Sequence, residues 1–123
     1  MFLDSIFASE KTYTALVEDM QQTIDPATGT PGAKEWVTIA AARCVYWRGS
    51  MAKGFISEQF RNIVSGVALV KPSDVSGVTF QRDNRVTIKD GMQTVGVFSL
   101  VYADNIAGQN EVIALQLTEY KKI

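Results

Sequence analysis

The stretch Arg85-Val86-Thr87-Ile88-Lys89-Asp90-Gly91 alternates polar and apolar side chains and then ends in a turn-forming pair. Successive side chains of a strand point to opposite faces, so Val86 and Ile88 fall together on one face. Asp-Gly is one of the commonest pairs in tight hairpins, because it accommodates positive φ. The stretch therefore predicts a half-buried strand that turns directly into the next one.

The same period of two recurs along most of the chain. Other strand-like segments occupy residues 12–19, 35–48, 64–71, 94–102 and 111–119. Between the first two, residues 25–32 contain two of the three prolines and two of the nine glycines, which predicts a long hairpin loop. About six short strands separated by turns predict an all-β fold, namely a small six-stranded antiparallel β-barrel.

Two segments depart from this pattern. Residues 49–65 space their apolar side chains three to five positions apart, which predicts a short helical or loop insertion between strands. Residues 1–10 are interpreted as an N-terminal arm and residues 11–123 as a single barrel domain. The arm either caps its own barrel or packs on a neighbour. It carries four apolar side chains on one face of a helical turn: Phe2, Leu3, Ile6 and Phe7.

The strand over residues 35–48 has one irregular position. Apolar residues share one parity along it, but Arg43 has that parity too, which predicts a bulge near residues 41–43. Cys44 lies on the opposite parity. Because the chain has no histidine to activate a thiol, we interpret Cys44 as a small buried residue.

The composition of the 123-residue chain, with no histidine and one cysteine, excludes several kinds of site. Ser-His-Asp and Cys-His mechanisms need an imidazole, and one thiolate cannot form an intrachain disulfide or a zinc site. The adjacent Glu18 and Asp19 point to opposite strand faces, while Asp83-Asn84 and Asp104-Asn105 are typical of turns. We therefore expect no enzyme activity, no metal and no cofactor.

The charge balance limits the expected partners. Twelve Lys and Arg against thirteen Asp and Glu argue against binding nucleic acid by electrostatics alone. No apolar run approaches the ~18 residues of a membrane helix, and the start lacks a basic flank, so we expect a soluble domain without a membrane partner. A small barrel that binds single-stranded nucleic acid is an alternative, because basic and aromatic residues alternate near the insertion. They are Arg43, Arg48, Lys53 and Arg61, with Tyr46, Trp47, Phe55 and Phe60.

The order of strands and turns over residues 13–119 is similar to that of a known family. An opening strand and a Gly/Pro-rich loop lead to a strand that ends in Val45-Tyr46-Trp47-Arg48-Gly49-Ser50. A polar insertion with Ser57-Glu58-Gln59 follows, and the next strand stops at Pro72. The best single match is Arg85-Val86-Thr87-Ile88 with its Asp90-Gly91 turn. On these features the chain resembles the head–tail connector proteins of long-tailed bacteriophages, which are adaptor, stopper, head-closure and head-completion proteins.

The resemblance implies a structural virion protein of the phage neck, synthesised in the host cytoplasm. It implies a homo-oligomeric, dodecameric ring, with a portal or adaptor protein above and a tail terminator or tail protein below. Such a ring extends the channel for double-stranded DNA, without sequence specificity, and a stopper retains the packaged genome. The alternative within this class is a tail terminator or another neck component. For a loop that faces the channel, the candidates are Gly49, Lys53, Glu58 and Arg61.

Ring assembly also implies apolar surfaces between subunits. The strand over residues 94–102 is apolar on both parities, which is more than one face of a small barrel requires. The interface candidates are therefore Phe98 and Leu100 in this strand, together with Phe2, Leu3, Ile6 and Phe7 of the arm.

Overall fold

A computed structural model describes residues 11–24, 26–48, 63–105 and 112–120. In these residues six antiparallel strands close into one barrel, with neighbours in the order β1-β2-β3-β6-β5-β4. The strands are β1 (Tyr13–Ile24), β2 (Pro31–Arg48), β3 (Gly66–Val70), β4 (Arg85–Asp90), β5 (Gln93–Asn105) and β6 (Ile113–Glu119). One turn of 3₁₀ helix, Pro72–Val75, is the only helical element in the described ranges. The predicted six-stranded antiparallel barrel is confirmed.

Alternation along the strands places apolar side chains inside the barrel. Val86 and Ile88 of β4 are fully buried, as the sequence predicts. Ala15 of β1 pairs with Ile88, and Val17 pairs with Val86. Each pair lies side by side in the interior, and the two pairs are neighbours along the strands. Gly91 adopts a φ of 61° at the turn into β5, which confirms the predicted hairpin.

The interior combines small side chains on one side with large ones on the other. Strands β1, β2 and β3 contribute Ala15, Ala40, Ala42, Cys44 and Ala68, whereas β5 and β6 contribute Leu100, Leu115 and Leu117. A barrel of six strands has a narrow interior, which side chains must fill without overlapping. The alanines therefore leave the room that the leucines of β5 and β6 occupy.

The bulge in β2 lies at a different position from the predicted one. Val17 pairs with Ala40, whereas the next residue, Glu18, pairs with Thr38. Ile39 is therefore the extra residue of β2, and the ladder through residues 41–43 is regular. An extra residue increases the local twist, and here it lies next to Glu18, the last residue of β1 that pairs with β4.

The interior face of β2 consists of its smaller side chains. Ala42 and Cys44 are buried inside, while Ala41 and Arg43 are exposed on the other face. The larger apolar side chains Val45 and Trp47 therefore lie on the outer face of the strand. The narrow interior admits alanine and cysteine at this level more readily than valine and tryptophan. The interpretation of Cys44 as a small buried residue is confirmed.

Two predicted loops are shorter than expected. The β1–β2 ladder continues to the pair Ile24–Pro31, with residues 26–28 in a turn, so the predicted hairpin loop is present but ends at residue 30 rather than 32. Similarly, β5 continues through Asp104 to Asn105, where a turn was predicted, because this segment pairs with β6. The predicted arm, residues 1–10, and most of the predicted insertion lie outside the described residues.

A second apolar cluster lies on the outer face of β2, β3 and β6. Val45 pairs with Leu69, and Leu69 pairs with Ala114, which gives a row across the three strands. All three are buried although they point away from the barrel interior. Both faces of β3 are therefore removed from water, which explains why its sequence Gly66-Val67-Ala68-Leu69-Val70 is apolar throughout.

Truncation of Leu117 tests the packing of the interior. Leu117 is fully buried, so Leu117→Ala should lower the free energy of unfolding by about 2–5 kcal/mol, through lost burial and a residual cavity. Met92 is 97% exposed, and Met92→Ala should change it by less than about 0.5 kcal/mol. Denaturant unfolding followed by circular dichroism compares the two variants. Similar small effects of both would contradict a packed, closed interior.

Candidate functional site

A two-stranded ribbon extends beyond the barrel wall. The β1–β4 ladder ends at the pair Glu18–Arg85, and the β2–β3 ladder begins at the pair Cys44–Val70. Above these points the described residues of β1 and β2 pair only with each other, as far as Pro31. We define the ribbon as residues 19–24 and 31–38. Most of its side chains are exposed.

Four side chains join the foot of the ribbon to the barrel, and we call them the base cluster: Glu18, Trp36, Arg85 and Tyr120. Nε and Nη2 of Arg85 donate hydrogen bonds of 3.0 and 2.8 Å to Oε1 and Oε2 of Glu18. The guanidinium carbon lies 4.6 Å from the centroid of the Trp36 ring. The Tyr120 ring meets Trp36 edge-on, with 6.4 Å between centroids. The base cluster therefore connects β1, β2, β4 and the end of β6.

The base cluster lies on the outer face of the barrel yet is packed. Glu18 follows the inward Val17, and Arg85 precedes the inward Val86, so both side chains point outward. Ser99 pairs with Arg85 and shares this face, but only 5% of its surface is exposed. The side chains around Ser99 thus lie flat against the outer face of the barrel and shield it from solvent.

Hydrogen bonding keeps the Arg85 side chain charged. The bond to Glu18 is the largest cause that raises the pKa of the guanidinium above its usual value, while burial acts against it and Tyr120 adds a smaller contribution. A planar guanidinium can bind both oxygens of a carboxylate and stack on an indole at the same time. Lysine, with a single point charge, cannot reproduce this arrangement.

The loop before β4 makes a second contact with the foot of the ribbon. Nδ2 of Asn84 donates to Oδ1 of Asp19 at 2.9 Å, and Oδ1 of Asn84 accepts from the backbone N–H of Gln81 at 2.9 Å. Asp83 has a φ of 74°, so the prediction of a turn at Asp83-Asn84 is confirmed. Because Asn84 is buried, this contact fixes the position at which β1 leaves the barrel.

Aromatic side chains close the opposite end of the interior. The ring centroids of Tyr46 and Phe98 are 5.5 Å apart, and those of Tyr13 and Tyr46 are 6.4 Å apart. A Cβ atom at Gly66 would lie 2.9 Å from the Tyr46 ring, and one at Gly96 would lie 2.8 Å from the Phe98 ring. The two glycines therefore make room for the rings to lie against the wall.

An open cavity of about 520 Å³ adjoins this aromatic end. Arg48 and Glu119 supply its charged groups. The rest of its lining consists of Tyr46, Ile63, Ser65, Val95, Phe98 and Thr118. One guanidinium and one carboxylate do not provide a pair of carboxylates or a nucleophile with its base, so the lining carries no recognisable catalytic set.

Reactive groups are scarce in the part of the chain that the structure describes. Burial raises the pKa of the Cys44 thiol from its usual 9.0 to about 12, so it is almost entirely protonated at neutral pH and is a poor nucleophile. No three His, Cys, Asp or Glu side chains of the described residues form a group that could hold a metal ion. No helix in the described ranges is long and apolar enough to cross a bilayer.

The predicted site residues fall into two groups. The channel-loop candidates Gly49, Lys53, Glu58 and Arg61 and the arm candidates Phe2, Leu3, Ile6 and Phe7 lie outside the described residues. Phe98 and Leu100 are described, and both face the barrel interior, where Leu100 is 1% exposed. The surface of β5 is therefore formed by other apolar side chains, Val95, Val97 and Tyr102. The expected contact surface of β5 is therefore corrected from Phe98 and Leu100 to the outward side chains, because alternate residues of this strand face the interior and the outside.

Sequence reasoning did not identify the base cluster. Glu18 and Arg85 are 67 positions apart, and only the β1–β4 ladder brings them together. Trp36 carries the one available signal, because a large aromatic residue in an otherwise polar stretch needs a partner to cover it. Comparisons with known proteins add nothing here, since no protein-family model, curated protein or solved structure matches the chain.

A double-mutant cycle measures the coupling energy between Glu18 and Arg85 in the base cluster. Glu18→Gln and Arg85→Gln, alone and combined, should give a coupling energy of about 1–2 kcal/mol, because the hydrogen bonds are charge-assisted and only 16% and 26% of the side chains is exposed. The matched control is the exposed pair Lys11–Asp90, where Lys11→Gln and Asp90→Asn should couple by less than about 1 kcal/mol. Unfolding free energies of the unaltered protein, the four single variants and the two double variants provide both values. Equal coupling in the two cycles would contradict the role given to the base cluster.

Proposed function

We propose that this chain is a non-enzymatic assembly protein that forms a homo-oligomeric ring in the neck of a long-tailed bacteriophage. Between portal and tail, the ring extends the DNA channel and retains the packaged genome, in a stopper or head-completion role. The protein acts in the virion, at the head–tail interface. The observation that carries the proposal is the ribbon, which projects from a closed barrel with its faces exposed.

A projecting ribbon suits a protein that functions by contact. Two strands by themselves are only marginally stable in water, and long unpaired edges favour association. Met20 and Ile24 of the ribbon are 41% and 67% exposed. Met92, Val95 and Val97 form a second exposed apolar group on the β4–β5 hairpin. A ring that also contacts a portal and a tail needs more than one such surface, and the described residues present at least these two.

The charge distribution agrees with a channel through which DNA moves. The formal net charge is −1. Lys11 is paired with Asp90 at 2.6 Å, and Arg85 is paired with Glu18 at 2.8 Å, so both cations are already partly neutralised. Affinity for DNA rises with every phosphate that a protein neutralises. A ring whose subunits carry no excess of positive charge would let the genome pass without holding it.

A single-strand binder of nucleic acid is the alternative from another class. Stacking requires aromatic faces that bases can reach, beside basic side chains. Tyr46 packs against the interior cluster and Trp47 against the outer apolar cluster, so the two rings lie on opposite faces of β2. Arg48 lines the open cavity beside Tyr46, whereas Arg43 is exposed on the outer face. The described members of the predicted set therefore do not form one platform, which favours the assembly role.

Hydrodynamics and oligonucleotide binding together distinguish the two functions. The proposed ring protein should sediment as a concentration-dependent oligomer, appear as rings in negative-stain micrographs and bind single-stranded oligonucleotides weakly. A monomer whose affinity for an oligonucleotide falls about tenfold or more between 50 and 200 mM salt would support the alternative instead.

Replacement of the predicted channel loop tests genome retention. Residues 49–61 are replaced by a short Gly-Ser linker, and filled heads assembled with this variant should lose their DNA while heads with the unaltered protein keep it. Thermal melting of the isolated variant confirms that the barrel still folds. If heads with a folded variant stay filled, the stopper role is wrong and an adaptor or terminator role remains.

A further inference from the structure

The ribbon has two backbone edges that pair with no other strand of the described residues. Every residue of β4 and β6 pairs with at least one neighbour, and the ladder closes around all six strands. In the described residues, however, β1 pairs with no strand on its β4 side above Glu18, and residues 34–38 of β2 pair with no strand on the β3 side. Residues 20–24 and residues 34–38 thus each present one edge, on opposite sides of the ribbon.

These two segments are long enough to pair as strands and are compatible in charge. Each segment contains five residues, which corresponds to about 17 Å of strand. Residues 20–24, Met-Gln-Gln-Thr-Ile, carry no charge, and residues 34–38, Lys-Glu-Trp-Val-Thr, carry one of each sign. Pairing one segment with the other therefore places no like charges opposite each other, which would be destabilising in a sheet.

The direction of the strands also fits a cyclic assembly. Within one chain β1 and β2 are antiparallel. Rotation about a ring axis keeps the direction of every strand along that axis, so β1 of one copy runs antiparallel to β2 of the next. A cyclic ring joins two different patches of each subunit, and the ribbon supplies one such patch on each side.

We propose that residues 20–24 of one copy add as a strand to residues 34–38 of the next copy. The ribbons then form one continuous antiparallel sheet around the ring, in which the backbone groups of both edges are hydrogen-bonded. The exposed apolar side chains of Met20 and Ile24 gain neighbours in the same step. This inference rests on the proposed ring and names the contact that holds it together.

Cross-linking between two single-cysteine variants tests the pairing. Gln22→Cys places a thiol on β1, and Thr38→Cys places one on β2, at positions that are not paired within a chain. The two variants, one with an affinity tag, are mixed and treated with a short bis-maleimide. Burial raises the pKa of Cys44 to about 12, so the native thiol stays unreactive. The matched control replaces Gln22→Cys with Met92→Cys, which is exposed on the β4–β5 turn.

The expected product is a covalent dimer that contains one copy of each ribbon variant. Gln22→Cys alone should give no dimers above the Met92→Cys control, because the contact joins different edges. If sedimentation shows a ring but mixed dimers do not exceed the control, or if Gln22→Cys alone forms as many dimers, the ribbon pairing is wrong while the ring stands. A protein that stays monomeric at all concentrations overturns both the ribbon pairing and the proposed ring.

Discussion

The contact between Arg85 and Glu18 lies at the level where the barrel ends and the ribbon begins. Below it, β1 has a strand on each side, and above it β1 has only β2. The stacking of Trp36 on the guanidinium and the bond from Asn84 to Asp19 act at the same level. Together they define where the two-stranded segment leaves the wall. The ribbon can serve as a contact surface only because its foot is held.

The interior and the ribbon use different physical means of stability. The barrel depends on apolar side chains that are fully buried, with alanines on one side and leucines on the other. The ribbon has little such burial and depends on backbone pairing within itself. The ribbon therefore leaves apolar side chains such as Met20 and Ile24 exposed in a single copy, and two strands alone are only marginally stable in water.

Local sequence patterns predict the number of strands well and their limits less well. Alternation identifies β4 and its turn, because Val86, Ile88 and Gly91 follow rules that act within a few residues. The bulge at Ile39 and the inward placement of Ala42 depend on the narrowness of a closed barrel, which no single strand encodes. The base cluster was missed for a related reason. Its members come from four parts of the chain, and closure alone makes them neighbours.

The closure between β1 and β4 also has a consequence for how the chain folds. It joins residues 67 positions apart, whereas the β4–β5 hairpin forms from neighbours in sequence. Contacts that close long loops form slowly, because much conformational entropy is lost before they contribute. The β1–β4 seam is thus expected to form late, after the local hairpins. Since the seam creates the foot of the ribbon, a chain that has not finished folding lacks an ordered edge, and the proposed ring would accept only completed subunits.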